Sequence, residues 1–402
     1  MQGVHVMFRY LLCCFGLVLM YPTGIDMYLV GLPQIANQLG ATEAQLHIAF
    51  SVYLAGMATT MLFAGSLADR IGRKPITLFG ALLFALASYF AARSQSSDLF
   101  LIARFVQGVG AGCCYVVAFA ILRDVLDDKR RARVLSMVNG VTCIIPVIAP
   151  VIGHLIMLRF PWPSLFYTMA VMGLLVFGLC LFVLRETYSK ASFHSQTLPR
   201  VQTESFKQGF FISRVVITTL GVTTILSYVN VSPMLIMGQM GFDRGQYSNI
   251  MAMTALVSML ASFSTPFLLN QFKEKSLILF SQTLFAAAAL VFILTQLGWL
   301  GQLFNLLGFG LVCSGFAIGF GVTMSQALSP FVARAGVASS LLGIAQVCTS
   351  ALYIWVMGLL EVSAINILLV ILAVGALISI TLMLAVPKLS EMVANEQILE
   401  SA

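Results

Sequence analysis

The sequence predicts an all-α integral membrane protein in which twelve transmembrane helices form two six-helix bundles. Hydrophobic residues make up 59% of the 402-residue chain and charged residues only 9%, whereas soluble domains carry about 25% charged residues. Twelve apolar runs reach the length, about 20 residues, that a helix needs to cross a bilayer. A polar stretch at 186–212 separates six runs from six, and the two halves resemble a weak internal repeat.

The predicted spans divide the chain into two bundles, a linker and a tail. The bundles occupy 1–185 and 213–386, the flexible cytoplasmic linker is 186–212, and the tail is 387–402. The twelve spans are predicted at 10–32, 46–68, 75–92, 99–122, 134–157, 164–184, 213–236, 247–270, 276–296, 300–325, 336–359 and 363–386.

The distribution of Lys and Arg predicts the orientation in the membrane. Of the 22 cations, Arg93, Arg159 and Arg244 lie in loops on the side opposite the N-terminus, and Arg104 lies inside the fourth span. The remaining cations lie on the side of the N-terminus, which the positive-inside rule assigns to the cytoplasm. Both termini are therefore expected in the cytoplasm. The net charge of +7 reflects topology, so we expect no nucleic-acid partner.

The polar loop between the second and third spans carries the most specific motif of the chain. It reads GSLADRIGRK from Gly65 to Lys74. An ordinary positive-inside loop would not require its two glycines and its aspartate at these spacings. The loop resembles, at every key position, the loop between spans 2 and 3 of the major facilitator superfamily of transporters (G-x-L-A-D-R-x-G-R-K). The second-half counterpart, near Pro266 to Lys275, is degenerate.

This resemblance implies a latch that closes the cytoplasmic side. By resemblance, Asp124 after span 4 pairs with Arg73, and Asp69 faces the N-terminus of a helix beginning near Ala335 and Gly336. A helix N-terminus favours an anion. The alternative is a solvated run of mixed charges. The latch residues implied by the resemblance are Gly65, Asp69, Arg70, Gly72, Arg73, Lys74 and Asp124.

Two charged residues, Asp26 and Arg104, lie well inside predicted spans, where a charge is expensive and is a functional candidate by default. Asp26 is the one acid well inside a span, and an embedded carboxyl group can exchange protons near neutral pH. Arg104 begins RFVQGVGAG, which resembles the span-4 motif of the superfamily (R-x-x-Q-G-x-G-x-A), where the Arg is associated with proton coupling. Both residues lie roughly 8–9 Å below the outer boundary, so they could meet. The alternatives are an interhelical hydrogen bond for Asp26 and bracing of backbone carbonyls for Arg104.

The fifth span contains a proline- and glycine-rich segment that predicts a bent helix. Asn139-Gly140 is followed by PVIAPVIGH at 146–154, and proline bends a helix because it removes a backbone hydrogen bond. The segment resembles the antiporter motif of the superfamily (G-P-x-x-G-G), although Ala149 and His154 replace two glycines. A packed or interfacial histidine is the alternative to a titrating His154. The predicted hinge residues are Gly140, Pro146, Pro150 and Gly153.

The second half shows almost no embedded charge, and its walls combine neutral polar groups with Met and aromatic side chains. Such walls suit neutral or amphipathic ligands, because Met and aromatic rings adapt to many shapes. Core packing is the alternative for each residue. The predicted drug cavity comprises Tyr28, Tyr115, Asn139, His154, Asn230, Gln326, Gln346, Tyr353 and Trp355.

The resemblance narrows the functional class further. The DMYL stretch after Ile25 and the segment from Cys113 to Asp124 resemble the Bcr/CflA branch of drug:proton antiporters. This implies a monomer in the bacterial inner membrane that exports hydrophobic or amphipathic drugs, chloramphenicol-like antibiotics among them, and takes up protons. The alternative is a proton-coupled symporter or exporter of a sugar or other small metabolite. No nucleotide-binding loop, nucleophile arrangement or metal spacing is recognisable, so we expect neither an enzyme nor a cofactor.

Overall fold

The computed structural model describes residues 2–126, 134, 145–187, 206–331 and 335–386. Every regular element in these ranges is helical, which agrees with the predicted class. The elements are α1 (Gln2–Asp26), a 3-10 turn (Leu29–Gly31), α2 (Leu32–Leu39), α3 (Glu43–Ile71), α4 (Arg73–Ala92), α5 (Ser97–Val125), α6 (Ile145–Met157), α7 (Pro163–Val183), α8 (Gly209–Pro233), a π-helical segment (Met234–Gln239), α9 (Arg244–Gln271), α10 (Glu274–Gln296), α11 (Phe304–Leu328), α12 (Ala335–Leu359) and α13 (Ala364–Ala385).

Eleven of the described helical stretches are long and apolar enough to cross a membrane. The shorter α6 lies within the predicted fifth span, the first part of which is outside the described residues. Gly140 and Asn139 therefore lie outside the described residues, as do most of the linker and the tail 387–402. The eleven long apolar helices identify the chain as a multi-pass membrane protein.

The first predicted span is interrupted after Asp26, near its outer end, which the sequence did not indicate. Helix α1 ends at Asp26, and a turn at Met27 and Tyr28 precedes the 3-10 turn. A proline near the start of α2 cannot donate a backbone hydrogen bond, and the turn closes through Gly31 N donating to the Tyr28 carbonyl at 2.9 Å. Asp26 therefore lies at a helix end rather than within a continuous helix.

Contacts divide the chain into two compact units, which we describe separately. Unit 1 comprises Met1–Thr197, Val229–Ala255 and Ala351–Val362, and unit 2 comprises Leu198–Tyr228, Leu256–Ser350 and Ser363–Ala402. Segments from the second half of the sequence therefore pack with the first half. The bundle boundaries drawn from the sequence stay a prediction.

In unit 1, glycines let α5 pack backbone to backbone against its neighbours. A Cβ added at Gly108 would collide with the Tyr53 carbonyl of α3, and a Cβ at Gly56 would collide with the Phe105 carbonyl. A Cβ at Gly110 would lie 2.6 Å from the backbone nitrogen of Phe84 in α4. Close approach through small residues is how membrane helices gain packing energy without a hydrophobic effect between them. This packing places Arg104, one turn before Gly108, in the core of unit 1.

In unit 2, two clusters of apolar side chains form the core. One joins α8, α10, α11 and α13 through residues such as Ile217, Ile278 and Ile318. The other surrounds Phe331, whose ring lies 4.7 Å from Phe211 and 4.9 Å from Phe206 between centroids.

Candidate functional site

Arg104 is fully buried in unit 1 and braces the interrupted helix α1. Its Nη1 donates to the Gly24 carbonyl at 2.9 Å and to Gln107 Oε1 at 2.5 Å. Its guanidinium carbon lies 4.1 Å from the ring centroid of Tyr28 and 4.5 Å from that of Tyr53. Aromatic faces attract a desolvated cation. The bracing of backbone carbonyls, the alternative considered for Arg104, is thus present in the structure.

Asp26 lies two residues beyond the braced Gly24 carbonyl, yet the structure does not bring the two charges into an ion pair. The Asp26 side chain is 3% exposed. Among the described residues, no ion pair within 4.0 Å joins its carboxylate to Arg104. Arg104 Nε and Nη2 are buried and make no well-aligned hydrogen bond among the described residues, although the Tyr28 hydroxyl interacts with the guanidinium. The described side chains and the carbonyl that contact the Arg104 guanidinium are therefore neutral groups.

The polar loop positions Arg73 between two carboxylates. Arg73 Nη1 lies 2.6 Å from Asp69 Oδ1, and Arg73 Nε donates to Asp124 Oδ2 at 2.9 Å. The Arg73 side chain is only 4% exposed, so these pairs compensate a charge largely removed from water. The contact with Asp124 is the one that the resemblance implied. Helix α12 begins at Ala335, but the part of Asp69 at that helix stays a prediction.

Glu186 is a member of this cluster that the sequence did not reveal. Its carboxylate accepts hydrogen bonds from the backbone N–H groups of Arg73 at 2.8 Å and Lys74 at 3.0 Å. It thus caps α4, whose first turn has unpaired donors and a favourable dipole for an anion. The neighbouring Thr187 hydroxyl donates to Asp124 Oδ2 at 3.2 Å. An acid directly after an apolar run was the available signal, but more than a hundred residues separate it from the loop.

Gly72 is the position where the loop needs glycine. Its φ is +112°, and a Cβ would lie 2.6 Å from Glu186 Oε2. Residues that carry a side chain rarely adopt this backbone conformation. Of the remaining loop residues, Lys74 donates through Nζ to the Leu181 carbonyl at 2.8 Å, and Arg70 is exposed. A Cβ at Gly65 would make only an ordinary contact, at 3.7 Å, with Val116.

The described part of the proline-rich span packs against the break in α1. A Cβ at Gly153 would lie 2.8 Å from the Met27 carbonyl, so the glycine permits a close approach beside Asp26. Pro146 and Pro150 lie in α6, and the Pro150 carbonyl accepts a hydrogen bond from the Ser248 hydroxyl at 3.1 Å. The hinge function of these residues stays a prediction.

The described residues of the predicted drug cavity are divided between the two units, and the cavity itself stays a prediction. In unit 1, Tyr28 lies under Arg104, Tyr115 packs edge-on against Tyr21, and Asn230 contacts His47. His154 is half-buried near Gly245, Tyr353 is half-buried, and Trp355 is 42% exposed. Gln326 and Gln346 belong to unit 2.

The neutral reading of the second half needs a correction, because Arg214 is 3% exposed in α8. Its Nε donates to Gln326 Oε1 at 2.7 Å, and Gln326 Nε2 donates to Glu274 Oε2 at 2.6 Å. The Arg214 guanidinium also lies 4.6 Å from the Phe210 ring centroid. Gln326 is therefore a bridge between two charges near the end of α11. The sequence did not reveal the burial of Arg214, because a cation at the edge of an apolar run is normally interpreted as a loop charge that sets the orientation in the membrane.

Comparisons with known proteins agree with the motifs. The family profile described as Major Facilitator Superfamily matches residues 14–356. A protein of Shewanella sp. (strain ANA-3) described as "Multidrug resistance protein MdtL" is 98% identical over 98% of this chain and 100% of its own length. Proteins of the same description are 62% identical in Vibrio parahaemolyticus, over 95% of the chain and 96% of the relative, and 58% identical in Escherichia coli O17:K52:H18, over 98% and 99%.

A solved structure shows the same fold at low sequence identity. The crystal structure of a D-xylose-proton symporter superposes with a TM-score of 0.77 at 15% identity, covering 95% of this chain and 98% of that one. Such a likeness carries the fold alone. Together with the family match, it confirms the predicted fold class.

Proposed function

Because the chain belongs to the major facilitator superfamily, we propose that it exports several hydrophobic or amphipathic drugs and takes up protons in exchange. The observation that carries the export of drugs is the 98% identity, over nearly the whole chain, to a protein described as a multidrug resistance protein. At that identity the two proteins differ at few positions, so a different substrate class would need a change within those few. The chain is a transporter, not an enzyme.

Proton coupling is supported by the arrangement around Arg104. Arg104 binds the Gly24 carbonyl, two residues before the buried Asp26, and two of its buried nitrogens make no well-aligned hydrogen bond among the described residues. A change that lets Asp26 approach these donors would favour the ionised carboxylate, and separation would favour the protonated one. A ligand shifts such an equilibrium only by its differential affinity for the two states. We therefore assign drug binding to the state with ionised Asp26 and proton uptake to the other.

The proposal extends to the orientation of the transporter in the membrane and to its state of assembly. The transporter lies in the bacterial inner membrane with both termini in the cytoplasm, as the distribution of Lys and Arg indicates. It acts as a monomer on small drug molecules, within lipid, and draws its energy from the transmembrane proton gradient. It needs no bound cofactor.

Everted membrane vesicles from an efflux-deficient host test this function. With this chain present, acidifying the vesicle interior should drive accumulation of chloramphenicol-like or amphipathic cationic drugs, and a protonophore should abolish it. Vesicles without the chain supply the control. Gradient-driven movement of a sugar, with no movement of any drug in the panel, would contradict the proposal and favour the metabolite transporter.

A further inference from the structure

Helices α8 and α12 pack in register within unit 2. The Thr223 and Ser350 hydroxyl oxygens lie 3.0 Å apart and are 127 residues apart along the chain. Near the start of both helices, Phe211 and Ala338 belong to one apolar cluster, and the same separation of 127 residues relates them. A separation that stays constant over about three turns means that the two helices run parallel, with matching residues at matching levels.

This register places two polar side chains at the level one turn before the Thr223–Ser350 contact. Residues four positions apart share a helix face, so Thr219 of α8 and Gln346 of α12 lie at that level. Thr219 is 6% exposed and Gln346 is 8% exposed. Thr219 Oγ1 and Gln346 Nε2 are both buried without a hydrogen-bond partner among the described residues. The two groups therefore lie at one level of the same helix pair and do not bond to each other.

The hydroxyl of Thr219 differs from the hydroxyls of its neighbours in α8. Thr218 and Thr224 donate to the carbonyls four residues earlier, at 3.0 Å and 2.8 Å, which is how threonine within a helix usually satisfies its hydroxyl. Thr219 makes no such bond. A buried polar atom without a partner costs free energy, and a ligand that supplies the partner recovers that cost.

The depth and the chemistry of the pair suit a neutral ligand. Thr219 lies roughly 15 Å along α8 from Gly209, near the middle of a hydrocarbon core of about 30 Å. Substrate sites of transporters commonly lie at this depth. A hydroxyl and an amide can bond to carbonyl, amide or hydroxyl groups, but neither supplies a counter-charge for an ion.

We propose that Thr219 and Gln346 bind the polar group of a neutral drug between α8 and α12. Gln346 Nε2 donates to a carbonyl or hydroxyl oxygen of the drug, and the Thr219 hydroxyl makes a second hydrogen bond. Because the two side chains do not bond to each other, separating the helices at this level breaks no hydrogen bond between them. This inference deepens the proposed function and rests on it, since it names the residues that select neutral, hydrogen-bonding drugs.

Binding of two drugs to the purified full-length protein tests the site. Chloramphenicol carries an amide and hydroxyl groups, whereas tetraphenylphosphonium carries no hydrogen-bonding atom. Thr219→Val and Gln346→Leu remove the polar atoms and keep nearly the same shape. In each variant the Kd for chloramphenicol, measured by equilibrium dialysis, should rise roughly three- to tenfold, the range for one neutral hydrogen bond. The Kd for tetraphenylphosphonium should not change.

The unfolding temperature without drug separates binding from folding. Each substitution removes a buried polar atom that has no partner, so the unfolding temperature should stay the same or rise. Thr224→Val is the matched control, because it removes a buried hydroxyl that its own helix satisfies. Its Kd for chloramphenicol should equal that of wild type.

Several results would overturn the site. Wild type that does not bind chloramphenicol would do so, as would a Kd that neither substitution changes, which would leave only water or packing at this level. Equal weakening of both drugs, or a lower unfolding temperature in both variants, would assign the pair to helix packing. Binding needs no proton gradient, so vesicles without gradient-driven export would count against the proposed function, while the Kd values still decide this site.

Discussion

The two clusters of charge, one in each unit, are built in opposite ways. In unit 1, Arg73 at the start of α4 contacts Asp69 and Asp124 directly. In unit 2, an acid stands at the start of α10, and Gln326 separates Glu274 from the buried Arg214. A direct pair compensates a buried ion more fully than a neutral amide does. We infer that the Arg73 cluster stabilises the folded protein more strongly than the Arg214 cluster does. Breaking the Arg214 cluster should therefore cost less free energy.

The largest expected effect comes from Arg73→Ala. Its loss leaves two partly buried carboxylates facing each other, so the free energy of unfolding should fall by about 2–4 kcal/mol. Arg70→Ala is the matched control, because Arg70 lies in the same loop but is exposed, and it should change stability by less than about 0.5 kcal/mol. Detergent unfolding titrations measure both. Equal effects would show that Arg73 is no more important than a surface cation.

A charge exchange in unit 2 tests whether Gln326 acts as the bridge. Gln326→Glu alone sets two carboxylates side by side and should destabilise the protein, whereas Gln326→Glu with Glu274→Gln restores both hydrogen bonds and adds a direct pair with Arg214. The double-mutant cycle should give a coupling energy of about 1–3 kcal/mol. Additive effects would mean that the two side chains act independently.

Alanine substitutions at two glycines with positive φ distinguish the cost of backbone strain from the cost of a collision with Glu186. Gly72 has φ +112° and Glu186 beside it, whereas Gly40 has φ +61° and open space around its Cβ position. Gly40→Ala should cost about 1 kcal/mol, and Gly72→Ala about 1–3 kcal/mol. Rescue of Gly72→Ala by Glu186→Ala would show that the collision dominates, and a cost at Gly72 no larger than at Gly40 would contradict the contact.

The smallest effect is expected from Glu186→Gln. The amide oxygen can still accept one of the two backbone hydrogen bonds of α4, but the charge at the helix N-terminus is lost. The free energy of unfolding should fall by about 0.5–1.5 kcal/mol, and high salt should shrink the difference between wild type and variant. A difference that grows with salt would argue against an electrostatic cap.

The sequence predicted the parts of this molecule that local pattern encodes. The lengths of the apolar runs predicted the helices, and the motif of the polar loop indicated, by resemblance, the contact of Arg73 with Asp124. Glu186 was missed because its partners lie far away in the chain, and the buried state of Arg214 was missed because hydropathy does not report which face of a helix end is covered. The break after Asp26 was missed because apolar composition says nothing about where backbone hydrogen bonds cease.

The Asp26–Arg104 pair illustrates the same limit. Helix geometry gave both residues a similar depth, but the structure places Arg104 on the Gly24 carbonyl and not on the Asp26 carboxylate. Which groups pair at a given depth depends on the rotation of each helix about its axis and on the break in α1. Hydrophobic periodicity predicts neither.

Drug-induced proton release from purified protein tests the central claim most directly, which is that Asp26 carries the coupled proton. Adding a transported drug near neutral pH should release protons from wild type, should release none from Asp26→Asn, and should leave release intact in the control His154→Asn. Equal proton release from wild type and Asp26→Asn would contradict the assignment and move the coupled proton to another group.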